Sequence, residues 1–268
     1  MDLIQALILG IVEGITEYLP VSSTGHLLIA QRLLGIEASD VANGYAIAIQ
    51  AGAILAVLGL YRQRVGVMLA GVAGRNTQGL QLALCVIAAF MPAAVIGVLL
   101  DKHIEAVLFG VVPIIMAWVV GAIVILALSG WIRRHREGAD LHQLRWQQAV
   151  LIGLVQCVAM WPGTSRSLVT ILGGLAVGLS MVAAVEFSFL LGLVTLTAAT
   201  AYKSIKLGPG MVDAYGWTTL LAGFAAAAVS AALAVKWMVA WLNRHGLVLF
   251  AWWRLLAAAV AAALLLHA

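Results

Sequence analysis

Hydrophobic positions along this chain do not alternate, and they do not form a single helical stripe. They come in unbroken runs separated by short polar breaks: Leu3–Leu19, Gly25–Leu34, Tyr45–Tyr61, Leu80–Leu100, Val107–Trp131, Gln147–Met160, Ser167–Leu179, Val182–Tyr202, Trp217–Leu242 and Leu247–Leu266. Most of these approach the ~20 residues a helix needs to cross a bilayer. Gly25–Leu34, Gln147–Met160 and Ser167–Leu179 are too short to span alone, and short apolar runs cut by polar residues mark broken or re-entrant helices. The ~10-residue alternating segments of a transmembrane barrel do not occur. The pattern predicts an all-α, polytopic membrane protein, a single integral-membrane domain over residues 1–268.

The short runs fall in matching places. Gln5-Ala-Leu-Ile-Leu-Gly-Ile-Val-Glu13 aligns without a gap on Gln148-Ala-Val-Leu-Ile-Gly-Leu-Val-Gln156, and with one deletion Pro20-Val-Ser-Ser23 falls on Pro162-Gly-Thr-Ser165. Aliphatic matches between apolar helices carry little weight, whereas the shared Gln-Ala, Gly, Pro and Ser carry more. The expectation is an internal duplication with halves of about 1–135 and 143–268, each a re-entrant helix hairpin plus three transmembrane helices. Three spans per half invert the second half relative to the first.

Composition adds that only 10% of the 268 residues are charged and 64% are hydrophobic, against about a quarter charged in soluble domains. The net charge of +4 belongs mostly to short loops, so membrane topology explains it better than nucleic acid, which is not an expected partner. On the inverted map, Arg62, Arg64, Arg75, Arg133, Arg134, Arg136, Arg145, Lys236, Arg244 and Arg254 share one side, and Arg32, Lys102, Lys203 and Lys206 the other. The positive-inside rule makes the first side cytoplasmic and both termini external. Cys85 and Cys157 both sit in apolar runs and read as small buried hydrophobes.

Two polar islands interrupt the apolar pattern, Glu13 to His26 and Trp161 to Ser167. Ionisable groups inside membrane segments are expensive and are functional suspects for that reason. Glu13 and Glu17, four residues apart, lie on one helix face, where two close carboxylates in low dielectric favour a shared proton or a divalent cation. Pro20 breaks the helix, and Ser22-Ser23-Thr24 opens another whose free N–H groups and hydroxyls make an anion cradle. His26 falls three residues after Ser23, within reach of it on a formed helix. The second island repeats the plan with Pro162-Gly163 and then Ser165-Arg166-Ser167. Arg166 is the one basic residue this map puts deep in hydrocarbon, with Arg32, Lys236 and Arg254 close enough to run ends to snorkel. Its planar fork suits phosphate. The two islands together predict a site for a phosphorylated head group with acid–base or metal chemistry beside it. Thr16, Thr195, Thr197 and Thr200 read as packing or back-bonding residues, Gln50 and Trp161 as anchors, and Glu186 as equally a site residue or one half of an ion pair.

At these residues the sequence strongly resembles the bacterial undecaprenyl-pyrophosphate phosphatase family of the BacA type, the bacitracin-resistance proteins. Glu13-Gly-Ile-Thr-Glu17-Tyr-Leu-Pro-Val-Ser-Ser-Thr-Gly-His26 matches its first motif. Trp161-Pro-Gly-Thr-Ser-Arg-Ser167, with Thr170 and Gly173-Gly174, matches its second, and Glu186-Phe-Ser-Phe-Leu-Leu191 a third shared block. Leu168-Val169 departs from the small pair common there, and a basic residue often found near Met181 is absent. The resemblance implies hydrolysis of undecaprenyl pyrophosphate to the monophosphate carrier and inorganic phosphate, recycling of the cell-wall lipid carrier, and bacitracin resistance. It also implies an outward-facing site in the bacterial plasma membrane and a divalent cation, Mg²⁺ or Ca²⁺. By the same resemblance Glu17, Ser23, His26 and Arg166 are catalytic. Glu13, Ser22, Thr24, Gly25, Ser165, Ser167 and Thr170 bind substrate, and Glu13 and Glu17 are the metal ligands. Either Ser23, with His26 as its acid–base partner, or His26 itself could attack phosphorus. The expected partners are a polyprenyl pyrophosphate lipid and the bilayer; a homodimer is compatible with the sequence.

The main rival is a transporter or flippase of an anionic lipid or solute, since inverted repeats with broken helices are the usual transporter plan. Clustering of Glu13, Glu17, Ser23 and His26 favours chemistry over passage. A type-2 phosphatidic-acid phosphatase would place a His six residues after the motif arginine, where this chain has Leu172.

Overall fold

The computed structural model describes residues 1–37, 39–108 and 110–265. Side chains at 40, 43, 101–106, 204–210 and 265 lie outside that description, and with them Lys102 and Lys206 of the charge count; Leu266, the end of the last predicted run, lies outside it too. Among the described residues every regular element is a helix: α1 (Leu3–Thr16), α2 (Ser23–Leu33), α3 (Asp40–Leu60), α4 (Arg62–Val72), α5 (Thr77–Leu108), α6 (Val111–Arg134), α7 (Trp146–Gln156), α8 (Arg166–Ala176), α9 (Met181–His245) and α10 (Val248–Leu265). A 3₁₀ turn, Cys157–Met160, extends α7.

Thr77–Leu100, Val111–Arg134, Met181–Lys203 and Met211–His245 are long and apolar enough to cross a membrane, and α3 with α4 makes a fifth if that pair, bent by 80°, is one span. The chain is a multi-pass helical membrane protein. Its outward faces say the same: Ile4, Ile11 and Ile15 on α1 and Leu84, Val98 and Leu99 on α5 are exposed, as lipid-facing side chains are. Two predicted boundaries move. The runs ending at Tyr202 and starting at Trp217 are two separate spans, Met181–Lys203 and Met211–His245, the second starting earlier than its apolar run; the helical path of α9 kinks at Gly216, where φ 72° and ψ 158° suit glycine alone. Helix α4 was hidden because Arg62, Arg64 and Gly66 break up its apolar positions.

Close helix crossings rest on small residues, as membrane packing requires. A Cβ at Gly10 would run into the Gly223 carbonyl of α9, and one at Gly14 into the Ser230 hydroxyl and the Ala227 carbonyl. On α7, Gly153 meets the Ala89 carbonyl of α5 in the same way. These contacts bring α1 and α7, the two helices that lead into the polar islands, against long helices that hold them in place.

The two islands share a backbone plan. At the starts of α1 and α7 the side-chain oxygens of Gln5 and Gln148 accept from the backbone N–H groups of Asp2 and Arg145 at 2.8 and 2.9 Å, and at α1 the Asp2 carboxylate accepts in turn from Gln5 N. The same two glutamine amides donate to Leu34 O at 3.0 Å and Val177 O at 2.8 Å, tying the start of each short helix pair to its end. Among the described residues, Ser22 (φ 73°, ψ 104°) and Ser165 (φ 76°, ψ 111°) are the positive-φ residues other than glycine. Each precedes an eleven-residue helix that closes on a positive-φ glycine, Gly35 and Gly178. The alignment of the islands is therefore corrected: Ser22, not Ser23, corresponds to Ser165. No deletion is needed, since Gln5 to Ser22 and Gln148 to Ser165 are the same distance along the chain.

Candidate active site

Helix α1 stops at Thr16 because the chain must reach Pro20, which has no N–H to continue the ladder. Five residues of turn follow, and Ser22 is forced into the left-handed, positive-φ region, a conformation that costs a non-glycine residue of order 1–3 kcal/mol. Such strain persists where surrounding contacts over-determine it. Here it turns the chain so that α2 begins at Ser23 beside the end of α1. The Ser22 side chain makes no capping hydrogen bond, so the first N–H groups of α2 are not satisfied by the usual side-chain acceptor. At the second break Ser165 does cap, accepting from Leu168 N at 3.3 Å. Of the two expected anion cradles, α2 is the open one.

Glu17 is the hub. Its Oε2 accepts from the Ser23 hydroxyl at 2.5 Å and from Gln50 Nε2 at 3.3 Å, and its Oε1 faces Arg166 at 3.4 Å. Arg166 also donates to Ser188 O at 3.0 Å and lies over the Tyr18 ring at 5.5 Å. Its Nε is buried with no partner among the described residues. Groups far apart in the chain thus converge: Glu17 and Arg166 come from different islands and form a nearly buried ion pair. Glu17, Ser22, Ser23, Thr24, Ser165 and Arg166 all line one cavity of about 240 Å³.

A second cavity of about 230 Å³ shares Ser23, Thr24 and Gln50 with the first and is also lined by Glu13, Gln31 and Lys203. Both carboxylate oxygens of Glu13 are buried without a hydrogen-bond partner among the described residues. Burying an unpaired charge is costly, so Glu13 is a group waiting for a proton or a cation.

The remaining predicted site residues lie elsewhere. His26 lines neither cavity. Its Nδ1 is 2.7 Å from Ser22 O, its Nε2 accepts from Trp253 Nε1 at 3.0 Å, and its ring packs against Trp118 and Trp253. The hydroxyl of Ser23 is bonded to Glu17, not to His26. Gly25 lies against Trp118 and Ile114, where a Cβ would come within 2.7 Å of the indole. Ser165 and Ser167 donate to Leu19 O at 3.5 and 3.0 Å, and Thr170 is 2.6 Å from the Ser188 hydroxyl. These three hydroxyls join the second island to the first and to α9.

Several residues of the site carried no clear sequence signal. Gln50, read as an anchor, bridges Glu17 and the Thr200 hydroxyl (3.1 Å). Thr195, read as packing, donates to Gln156 Oε1 at 3.4 Å. Glu186 pairs with Arg64 at 2.6 Å, away from both cavities. Arg254 is the largest correction. It does not snorkel; it is fully buried and donates to five carbonyls, those of Pro20, Ala117, Trp118, Gly163 and Thr164. Exposed backbone carbonyls of both breaks, at Pro20 and at Gly163–Thr164, are satisfied by this one guanidinium. Carbonyls freed by a broken helix need such a donor where water is excluded. Arg166 is therefore not the only deeply placed basic residue.

Comparison with known proteins places the chain in a family. The family model described as bacitracin resistance protein BacA matches residues 6–260. A protein of Sorangium cellulosum named undecaprenyl-diphosphatase is 42% identical over 255 residues, covering 94% of this chain and 82% of the relative. Undecaprenyl-diphosphatase 2 of Rhodospirillum rubrum is 43% identical over 256 residues (94% and 91%). Undecaprenyl-diphosphatase 1 of Chromobacterium violaceum is 44% identical over 255 residues (94% and 93%). Since both the model and these relatives match nearly end to end, across both islands and the helices that hold them, the chain belongs to the bacitracin resistance protein BacA family.

Proposed function

We propose that this protein is a membrane phosphatase that hydrolyses undecaprenyl pyrophosphate to undecaprenyl phosphate and inorganic phosphate, so returning the cell-wall lipid carrier to use. The observation that carries the reading is the Ser23–Glu17–Arg166 relay: a hydroxyl bonded to a carboxylate that is itself paired with an arginine, beside an open helix start. A porter needs donors for its anion; it does not need a hydroxyl with a base on it.

Ser23 Oγ attacks the terminal phosphorus while its proton passes to Glu17 Oε2. The bond from that phosphorus to the bridging oxygen breaks, and undecaprenyl phosphate leaves with the electron pair. Water then attacks the phosphoserine, Glu17 returns the proton to Ser23, and inorganic phosphate departs. Arg166 and the N–H groups at the start of α2 hold the equatorial oxygens, where charge is spread in phosphoryl transfer. Both ring nitrogens of His26 are engaged, which favours Ser23 over His26 as the attacking group; His26 fixes the Ser22 turn from behind.

Glu13 and Glu17 fit a divalent cation such as Mg²⁺ or Ca²⁺, Glu13 through two unpartnered oxygens and Glu17 one helical turn away. No cluster of three or more His, Cys, Asp or Glu groups surrounds them among the described residues, so phosphate and water would complete the shell of a hard cation. Such an ion, when bound, supplies charge neutralisation for the transferred phosphate.

The shared caps, turns and glutamine ties of α1–α2 and α7–α8 support an inverted repeat of two re-entrant hairpins. Without Arg254 the basic residues still divide nine against four, which supports an outward-facing site and external termini in the bacterial inner membrane. Purified protein in detergent is expected to release phosphate from undecaprenyl pyrophosphate in a divalent-dependent way, and to lose release on addition of a chelator. Uptake of the lipid into vesicles without phosphate release would favour the transport reading instead.

A further inference from the structure

Gln156 ends α7 and is 2% exposed, yet it lines the same cavity as Ser23 and Arg166. Its Oε1 accepts from Thr195 Oγ1 at 3.4 Å, which leaves the amide nitrogen as the free end, and that nitrogen is buried with no partner among the described residues. A buried amide N–H without an acceptor is rare in native proteins, because it loses its bonds to water and gains none. It is retained where a ligand supplies the acceptor.

Two further features say which acceptor. By the correspondence of α1 with α7, Gln156 takes the place that Glu13 takes in the first half, so the second half offers a neutral donor where the first has a carboxylate; of the two, only Gln156 lines the cavity shared with Glu17 and Arg166, and Glu13 faces the neighbouring one. The cavity lining includes the apolar Ala93, Ala159, Met160 and Leu196, of which Ala159 and Met160 lie within four residues of Gln156 in the chain, whereas the charged groups Glu17 and Arg166 are joined to each other and to Ser23 at the α2 start. A lipid pyrophosphate is asymmetric in the same sense. Its terminal phosphate has two ionisable oxygens and its lipid-linked phosphate one, attached directly to hydrocarbon.

Resting on the phosphatase reading, we propose that the Gln156 amide N–H groups bind the lipid-linked phosphate of the substrate, with Thr195 fixing the amide, while Arg166 and the α2 start bind the terminal phosphate. Gln156 then holds the leaving group, and after cleavage it holds the monophosphate product. A neutral donor among apolar side chains suits the phosphate that carries the lipid, whereas Arg166 and the helix start suit the terminal phosphate.

The test is direct binding of labelled undecaprenyl phosphate and of inorganic phosphate to the full-length protein in detergent, which needs no turnover. Gln156→Leu and the isosteric Gln156→Glu are expected to weaken undecaprenyl phosphate binding by about tenfold to a hundredfold, Gln156→Glu the more. Inorganic phosphate affinity should stay within about twofold of the wild type. Thr195→Val should weaken the lipid product in the same direction, by less. Equal loss of both ligands, no loss of either, or a wild type that does not bind undecaprenyl phosphate would overturn the proposal. If Gln156→Leu does not fold, Gln156→Glu, which preserves volume, decides alone. Wild-type phosphate release, measured in parallel, separates failure of this subsite from failure of the phosphatase reading.

Discussion

The hydroxyl of Ser23 lies 2.5 Å from Oε2 of Glu17, six residues back across the Pro20 break. The contact exists because Ser22 adopts φ 73°; a continuous helix would carry Ser23 nearly two turns past Glu17. Chemistry and chain break are one device. Ser23→Ala should reduce phosphate release from undecaprenyl pyrophosphate to background. Glu17→Gln, which can still accept from Ser23 but cannot take its proton, should lower kcat by about 10²–10⁴. A thermal midpoint in detergent close to that of the wild type for both variants would show that the loss is chemical. Retention of kcat in Glu17→Gln would remove Glu17 as the base.

Arg166 faces the other oxygen of the same carboxylate at 3.4 Å. The planar fork lets it hold Glu17 and Ser188 O at once, while its Nε stays buried without a partner among the described residues. A lysine keeps the charge but loses the fork. Arg166→Lys is therefore expected to retain fold yet lose about tenfold to a hundredfold in kcat/KM, measured by initial rates over a substrate series. Full activity in Arg166→Lys would mean that charge alone suffices there.

His26 provides a sharper division between touching the reaction and shaping it. Trp253 Nε1 donates to its Nε2, and its Nδ1 meets Ser22 O. If His26 acts by fixing the Ser22 turn, Trp253→Phe should reproduce part of the defect of His26→Ala. Both should remain well above Ser23→Ala in residual rate, and the pH profile of kcat should keep its shape in both. A profile that loses one limb in His26→Ala alone would return the imidazole to the proton-transfer step.

Much of this site could be read from the chain before any coordinates, and for a definable reason. Glu17, Ser23 and Arg166 are polar groups in hydrocarbon next to helix breakers, and the cost of such placements makes them conspicuous. Gln50, Gln156, Thr195 and Thr200 are polar as well, but they sit within ordinary helices, where a hydroxyl bonded to its own helix is the commoner state. Thr16 does just that, donating to Val12 O at 2.6 Å. What distinguishes Thr195 and Thr200 is the side chain opposite, 39 and 150 residues away in sequence, and no local pattern encodes that. The repeat register failed for a related reason. Prolines were matched to prolines, whereas the conserved geometric object is the positive-φ serine, which the letter code does not mark. Membrane spans were legible as runs, but α4 was not, because arginines at the bend interrupt the pattern.

Arg254 shows the same limit and sets the last prediction. Near the end of the chain, it looked able to reach water; instead its guanidinium closes on carbonyls of both breaks and of α6. The space is shaped for it: a Cβ at Gly121 would run into the guanidinium. It has no carboxylate partner among the described residues, so its charge is held by peptide dipoles alone. Removing it leaves several buried carbonyls without donors, each worth about 1–3 kcal/mol. Arg254→Met should thus lower stability by roughly 3–5 kcal/mol, the range for breaking a buried charged network, read as a large drop in thermal midpoint in detergent. Arg254→Lys, with three donors on a single nitrogen, should recover only part of it. Gly121→Ala should mimic the loss by displacing the guanidinium, although residue 121 touches neither cavity. Because both breaks loosen together, the rate should fall in step with stability across the three variants. A variant that kept full stability while losing activity would instead assign Arg254 to the substrate.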